Sequence, residues 1–153
     1  MQLTTLENDD KLSPKLRWRL KEYPPENLDK GYVEDTAIEM LKTMIQHDGI
    51  GLAANQVSST LRMFVTHDLA AMNPTIKNPR YYKDVEEGCL SIPGKSDTIG
   101  RATKLTLDFF NIVKWKWENR DFVGKEAHVI QHEVDHLNGV LYTDYAGLLT
   151  GRK

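Results

Sequence analysis

The residues best suited to do chemistry lie near the C-terminal end of the chain, in residues 131–138. His132 and His136 are four residues apart, so on a helix their side chains project from one face, one turn apart. Two imidazoles in that arrangement can bind one metal ion, and Glu133 can act as a general base beside an open coordination position. The alternative interpretation is an exposed charged helix, so a metal site needs a third ligand from elsewhere.

Cys89 is the best candidate for that third ligand. In one metalloprotease class the third ligand is a histidine six residues after the second, but here that position is Tyr142. In another class the third ligand is a glutamate farther along the chain, but here the only acid after the motif is Asp144. His47 and His67 have no supporting context. A thiolate binds zinc or ferrous iron strongly, although a lone cysteine is more commonly buried and inert. A structural zinc site usually has four protein ligands, so three plausible ligands favour metal-assisted hydrolysis.

The composition indicates one globular domain spanning residues 1–153. Hydrophobic residues make up 40% and charged residues 27%, and the formal net charge is -2 without a long basic run. Nucleic-acid and membrane partners are therefore not expected, and neither a spanning apolar run nor a signal-peptide core is present. A single cysteine cannot form an internal disulfide, which favours a reducing compartment and hence the cytoplasm.

Hydrophobic spacing predicts the elements that must position the candidate ligands. Apolar residues at helical spacing predict a helix over residues 32–47, ended by Gly49 in a left-handed conformation. A second helix is predicted from about residue 122 to residue 137, capped by Asn119 or Asp121, stopped by Gly139 and carrying the histidines. Strands are predicted over residues 61–66, 80–85, 104–110 and 113–117. A polar segment over residues 1–31 is expected to lie on the surface, with a short helical turn around residues 14–21.

The stretch from Gly49 to Val57 allows two interpretations. Its two glycines permit close approach of the backbone to a ligand, and an amide follows at Gln56. A phosphate-binding loop is rejected because no Gly-Lys-Ser/Thr ending follows. The other interpretation is a tight connection between a helix and a strand, packed in the core.

Three stretches taken together resemble the signatures of the peptide deformylases. They are Gly49–Gln56 (GIGLAANQ), Glu87–Ser91 (EGCLS) and Gln131–His136 (QHEVDH), present in the family's order and at similar separations. The resemblance covers about residues 32–145, and the N-terminal residues match only loosely. It implies an α+β fold in which small antiparallel and mixed sheets surround a central metal-binding helix.

The resemblance implies a hydrolase that removes the formyl group from the N-terminal formyl-methionine of newly made polypeptides and releases formate. By position, Cys89, His132 and His136 would bind one divalent metal ion. The family often uses Fe(2+) in the cell, and Zn(2+), Ni(2+) or Co(2+) can replace it. The ion lowers the pKa of a bound water, and Glu133 would carry a proton from that water to the leaving amine.

Further roles follow from the same resemblance. The side-chain amide of Gln56 and the backbone N–H of Leu90 would stabilise the negative charge that develops on oxygen. Ile50 and Gly51 would pair with the substrate backbone as an added strand, and Gly88 would also contact the substrate.

Residues around the ligands have less certain roles. Glu87 and Arg101 are expected either to pair and hold the cysteine loop or to be two solvated charges. Asp135 either orients a ligand histidine or faces water. His128 stands one turn before His132 on the same stripe of the helix. We expect it to line the methionine pocket and make that pocket more polar, unless it tilts out to water.

Two other functions remain open at this point. One is a metalloprotease that cuts internal peptide bonds, against which the cysteine ligand argues. The other is a metal-stabilised binding module without catalysis, against which Glu133 and Gln56 argue because a structural site needs neither a base nor an oxyanion donor.

The chain stops at Lys153, before the long C-terminal helix that helps bacterial family members dock on the ribosome. We therefore expect weak or no ribosome docking and a likeness to phage or minimal members of the family. We also expect a monomer, located in the cytoplasm of a bacterium or of a phage-infected cell.

Overall fold

The computed structural model describes residues 1–3 and 13–145. The expected N-terminal surface segment contains two short 3-10 turns, Pro14–Arg17 and Pro25–Asn27, and the first of them confirms the predicted helical turn. The C-terminal tail, on which the expectation about ribosome docking depends, lies outside the described residues. Within those residues, no helix combines the length and the apolar character needed to cross a membrane.

The first helix, α1, spans Lys30–Gln46 and confirms the predicted helix to within two residues. Asp29 caps its N-terminus, because the side chain accepts a hydrogen bond of 2.7 Å from the backbone N–H of Tyr32. One face of the helix is buried in the core, through residues at helical spacing: Val33, Ala37, Met40 and Met44.

At the end of α1, the residue in the left-handed conformation is not the one that was predicted. Asp48 adopts the left-handed conformation, with φ of 55°, and Gly49 does not. Lack of space favours glycine at position 49 instead, since a Cβ there would lie 2.6 Å from Cδ1 of Leu90 and 3.3 Å from the carbonyl oxygen of Met44. Gly49 therefore lets the segment after the helix pack closely against the residue that follows Cys89.

Five strands form one antiparallel sheet in sequence order. The strands are β1 (Gly51–Ala53), β2 (Met63–Thr66), β3 (Ala70–Cys89), β4 (Ile92–Asn111) and β5 (Lys116–Val123). Every pairing between the described strands is antiparallel, so the fold is α+β as predicted, without the expected mixed pairing. A 3-10 turn at Ala54–Val57 follows β1 directly.

Strands β3 and β4 form a hairpin much longer than the strands predicted at residues 80–85 and 104–110. Each strand has 20 residues, and the hairpin turns at Leu90 and Ser91, directly after Cys89. Much of its outer part is exposed, so the alternation of polar and apolar residues that reveals a strand is missing there. The strand predicted at residues 113–117 begins only at Lys116, because Val113 and Trp115 lie in the turn before β5.

The second helix, α2, spans Gly124–Leu137 and carries the histidines as predicted. The predicted caps are wrong: Asn119 and Asp121 lie in β5, opposite residues of β4, and the N-cap position is occupied by Val123. Gly139 ends the helix region as predicted, with φ of +73°. A Cβ at that position would also come within 2.6 Å of the carbonyl oxygen of Arg17.

The core lies between the sheet and the two helices. Four apolar residues of α2 are buried in it: Ala127, Ile130, Val134 and Leu137. Phe122 of β5 packs against Phe109 of β4, with ring centroids 6.5 Å apart. This packing fixes the rotation of α2 about its axis, and so fixes the direction in which the histidines project.

Candidate metal centre

Three candidate ligands meet at one point between α2 and the tip of the β3–β4 hairpin. The ligand atoms of Cys89, His132 and His136 all lie within 4.8 Å of one another. The two histidine Nε2 atoms are 3.1 Å apart, and Sγ of Cys89 is 3.3 Å from Nε2 of His136. Tetrahedral zinc-like coordination would separate two nitrogens by about 3.3 Å and a nitrogen from a sulfur by about 3.6 Å. The three side chains therefore fit one metal ion.

The carboxylate of Glu87 holds one of these histidines in place. It accepts hydrogen bonds from Nε and Nη2 of Arg101, at 2.9 and 2.7 Å, and contacts Nδ1 of His132. A contact of 2.7 Å joins it to Nε2 of His128. Burial alone would raise the pKa of Glu87, but these partners hold it below its usual range. Glu87 is thus a buried anion satisfied from several sides.

The contact with Glu87 sets the tautomer of His132. An ionised carboxylate can only accept, so Nδ1 carries the proton and Nε2 presents its lone pair to the ligand cluster. Burial opposes protonation of His132, but contacts with Cys89 and Glu87 outweigh it and raise its pKa. Burial lowers the pKa of His136, which favours the neutral ring that a metal requires.

Glu133 lies beside the cluster without being part of it. Its Oε1 is 3.9 Å from Nε2 of His132, and the residue is only 1% exposed. Its Oε2 is buried and has no hydrogen-bond partner within the described residues. Burial raises the pKa of Glu133 to about 7, so this carboxyl can gain or lose a proton near neutral pH.

Gly51 provides the space that Glu133 occupies. A Cβ at position 51 would lie 2.8 Å from Oε2 of Glu133 and 3.0 Å from its Cδ and Cγ. The sequence suggested that glycine is needed here for the substrate backbone, and it gave no sign that the glutamate fills the same space.

Gln56 reaches the cluster from the 3-10 turn after β1. Its Nε2 lies 3.6 Å from Sγ of Cys89 and 3.1 Å from Oγ of Ser91. Its Oε1 accepts a hydrogen bond of 2.9 Å from the backbone N–H of Ala53, which fixes the orientation of the amide. Leu90 lies in the hairpin turn next to the cysteine, so both predicted oxyanion donors are close to the ligands.

The pair predicted between Glu87 and Arg101 is present, and Arg101 extends it. Its Nη1 donates to Oδ2 of Asp135 at 2.6 Å, and its guanidinium lies 5.1 Å from the ring centre of Tyr145. Asp135 therefore pairs with Arg101. In the described part of the chain, the carboxylate that contacts Nδ1 of His132 is that of Glu87. The arginine ties α2 to the hairpin that delivers Cys89.

A cleft of ≈ 630 Å³ opens onto the cluster. It is lined by all four residues predicted to contact substrate: Ile50, Gly51, Gly88 and His128. The side chain of His128 is 20% exposed, so it borders the cleft and does not extend into open water. Strand β1 pairs with β2 on one side only, and no described strand occupies its other edge. That edge leaves room for an added strand.

The C-terminal end of α2 is anchored by residues that the sequence did not reveal. Asn55 donates to the carbonyl oxygen of His136. Arg62 donates to the carbonyl oxygen of Leu137 at 3.0 Å and to Oδ1 of Asn138 at 2.8 Å. An arginine directly before a short apolar strand is the one available signal, but its partner Leu137 lies 75 residues away in the sequence.

Comparisons with known proteins assign the chain to a family. The family model for polypeptide deformylase matches residues 8–150. The chain belongs to this family. A peptide deformylase from Chlorobium limicola is 36% identical over 137 residues, covering 82% of this chain and 73% of that protein.

Solved structures of peptide deformylases share the fold. The Thermotoga maritima enzyme superposes with a TM-score of 0.83 at 32% identity, covering 94% of this chain and 95% of that one. A probable peptide deformylase from Synechococcus phage S-SSM7 superposes with a TM-score of 0.85 at 29% identity, covering 95% and 99%. Peptide deformylases are metalloenzymes, in agreement with the Cys89 and histidine cluster.

Proposed function

We propose that the cleft hydrolyses the N-formyl bond of formyl-methionyl peptides, with Cys89, His132 and His136 holding one divalent metal ion and Glu133 carrying the proton. The family membership supplies the reaction: the chain is a metal-dependent hydrolase that removes the N-formyl group from new polypeptides and releases formate. The assignment of residues to roles is the proposal. It is supported mainly by a buried carboxylate, one oxygen of which has no hydrogen-bond partner among the described residues, beside three converging ligand atoms.

Glu133 is the proposed general acid–base catalyst. A metal ion at the cluster would supply a Lewis acid that makes water reactive at neutral pH. Oε2 of Glu133, which has no hydrogen-bond partner among residues 1–3 and 13–145, accepts the proton of the attacking water, and the same carboxyl then delivers it to the nitrogen that leaves. A pKa of about 7 suits both steps, because the group can hold the proton between them and release it afterwards.

The negative charge that develops on the formyl oxygen needs donors already in place. The Nε2–H₂ group of Gln56 points toward the cluster, and its orientation is fixed by the bond from Ala53 to Oε1. The backbone N–H of Leu90 is the second donor in the proposal. Because the Gln56 amide is already oriented by this hydrogen bond, it needs little reorganisation as the charge appears.

The substrate backbone would add to the free edge of β1. Ile50 and Gly51 offer main-chain groups there, and Gly88 on β3 borders the opposite side of the cleft. A peptide bound in this way enters with its N-terminus toward the cluster. The formyl carbon then lies beside Glu133, and internal peptide bonds lie farther from it.

The cellular metal in this proposal is Fe(2+), as the resemblance to the family implies, and one thiolate with two imidazoles suits ferrous iron and zinc alike. Zn(2+), Ni(2+) or Co(2+) should occupy the same ligands. The substrates are made by ribosomes, so the proposed place of action is the cytoplasm, and the proposed active species is a monomer.

The proposal is tested by preparing the protein without metal and adding Fe(2+), Ni(2+), Co(2+) or Zn(2+) in the absence of oxygen. Formate release from formyl-Met-Ala-Ser is then measured for each metal. We expect one formate for each free amine formed, and activity that depends on added metal. Cleavage of an N- and C-terminally blocked peptide without formate release would instead indicate an endoprotease. Metal uptake without any hydrolysis would indicate a binding module.

A further inference from the structure

His128 uses only one of its two ring nitrogens within the described part of the chain. Its Nε2 lies 2.7 Å from Oε2 of Glu87. The same carboxylate accepts hydrogen bonds from Nε and Nη2 of Arg101, so Glu87 acts as the acceptor toward Nε2 of His128 as well. No described residue pairs with Nδ1 of His128, and His128 is one of the residues that line the cleft.

The first side chain of a bound peptide comes within reach of this ring. In the proposed mode, the formyl carbon lies at the cluster and the first Cα follows two bonds later. His128 precedes His132 by one helical turn, a rise of about 6 Å along the axis of α2. An extended side chain of methionine's length spans about 5 Å from its Cα. Its tip can therefore reach the part of the cleft that His128 lines.

We propose that His128 determines the specificity of the cleft for the first residue, so that the enzyme also deformylates peptides whose first side chain is polar and uncharged, such as glutamine. This inference rests on the proposed function and adds a substrate class to it. A carboxamide contains both donors and an acceptor, so it can pair with Nδ1 whether that atom carries a proton or not. An apolar wall would leave the carboxamide unpaired, and binding would suffer.

Glutamine and norleucine provide a matched pair of test substrates. Both side chains have methionine's length and neither is charged, so they differ mainly in hydrogen bonding. The measured quantity is kcat/KM for formyl-Gln-Ala-Ser divided by kcat/KM for formyl-Nle-Ala-Ser, on nickel-loaded enzyme. Any disturbance of the metal centre that follows from loss of the Glu87 contact is common to both substrates and cancels in the ratio.

The variants are His128→Ile and, as a second apolar variant, His128→Leu. We expect the ratio to fall about tenfold in each, the typical effect of one lost hydrogen bond at a partly buried site. His128→Asn retains a hydrogen-bonding group and should keep part of the preference. His67→Ile is the matched control, because His67 is exposed and lies outside the cleft, and it should leave the ratio at the wild-type value.

An equal ratio in the wild-type protein and both apolar variants overturns the inference while leaving the proposed function standing. An equal fall in the His67→Ile control also overturns it, because the effect would not depend on the cleft. Absence of formate from formyl-Met-Ala-Ser in the wild-type protein overturns the proposed function itself, and this inference with it.

Discussion

Gly51→Ala tests whether the position of Glu133 controls the chemical step. The added Cβ would lie 2.8 Å from Oε2 of Glu133 and 3.0 Å from its Cδ and Cγ, whereas ordinary contacts begin at 3.4 Å. The carboxylate must therefore move by at least 0.6 Å, which is 3.4 Å less 2.8 Å. Glu133 is only 1% exposed, so little room exists for that movement.

A displacement approaching 1 Å at a catalytic group can cost about 100-fold in rate. We therefore expect kcat for formyl-Met-Ala-Ser to fall about 100-fold in the Gly51→Ala variant. KM should change much less, because alanine retains the main-chain groups proposed to pair with the substrate. The metal content should stay near that of the wild-type protein, since the three atoms nearest to the new methyl group all belong to Glu133, which is not a ligand.

Gly100→Ala is the matched control, because nothing lies within 4 Å of a Cβ at that position in β4. Formate release, metal analysis and a thermal unfolding scan are measured on both variants. Near-normal kcat in Gly51→Ala, with the protein folded and loaded with metal, would refute the role given to the position of Glu133. A parallel loss of metal would place the effect in the ligand cluster instead.

Three further predictions concern single side chains. Glu133→Gln should retain the metal and lose about 10²- to 10⁴-fold in kcat, and near-normal turnover would exclude Glu133 as the proton carrier. Cys89→Ala should reduce the metal content of the purified protein, and a full complement of metal would remove Cys89 from the ligand set. Asp144→Asn should lower the free energy of unfolding by up to about 1 kcal/mol at pH 6, because Asp144 pairs with Arg17 at 2.7 Å on a partly exposed surface.

The pH dependence of the last prediction follows from the direction of the pKa shift. The hydrogen bond from Arg17 lowers the pKa of Asp144, so the stabilisation is present above the unfolded value of about 3.9 and is lost as the pH falls through the lower folded value. The difference between the two proteins should thus shrink toward pH 3 in denaturant titrations. A difference that persists there would argue against the ion pair.

The convergence of Cys89, His132 and His136 could be predicted because its signals are local in the sequence. Two histidines four residues apart on a helix must share a face, and Cys89 stands out as the only thiol. The second helix was predicted for the same reason, since its hydrophobic spacing is regular. Its start was misplaced because Asn119 and Asp121 are good capping residues that here belong to β5, where pairing with β4 outweighs their local preference.

Features that depend on distant contacts were not predictable from the sequence. The length of the β3–β4 hairpin is fixed by cross-strand pairing, and the exposed residues near its outer part carry no alternating pattern. Arg62 caps the end of α2 from 75 residues away, and the fit between Gly51 and Glu133 spans a similar distance. The contact between His128 and Glu87 likewise depends on how the hairpin meets the helix.

The central claim is that Cys89, His132 and His136 together hold one metal ion. X-ray absorption spectroscopy on the zinc- or cobalt-loaded protein tests it most directly, with Cys89→Ala for comparison. We predict one sulfur ligand at about 2.3 Å and nitrogen or oxygen ligands at about 2.0–2.1 Å, with the sulfur contribution absent from the variant. A wild-type spectrum without sulfur, or a sulfur contribution that persists in the variant, would contradict the account.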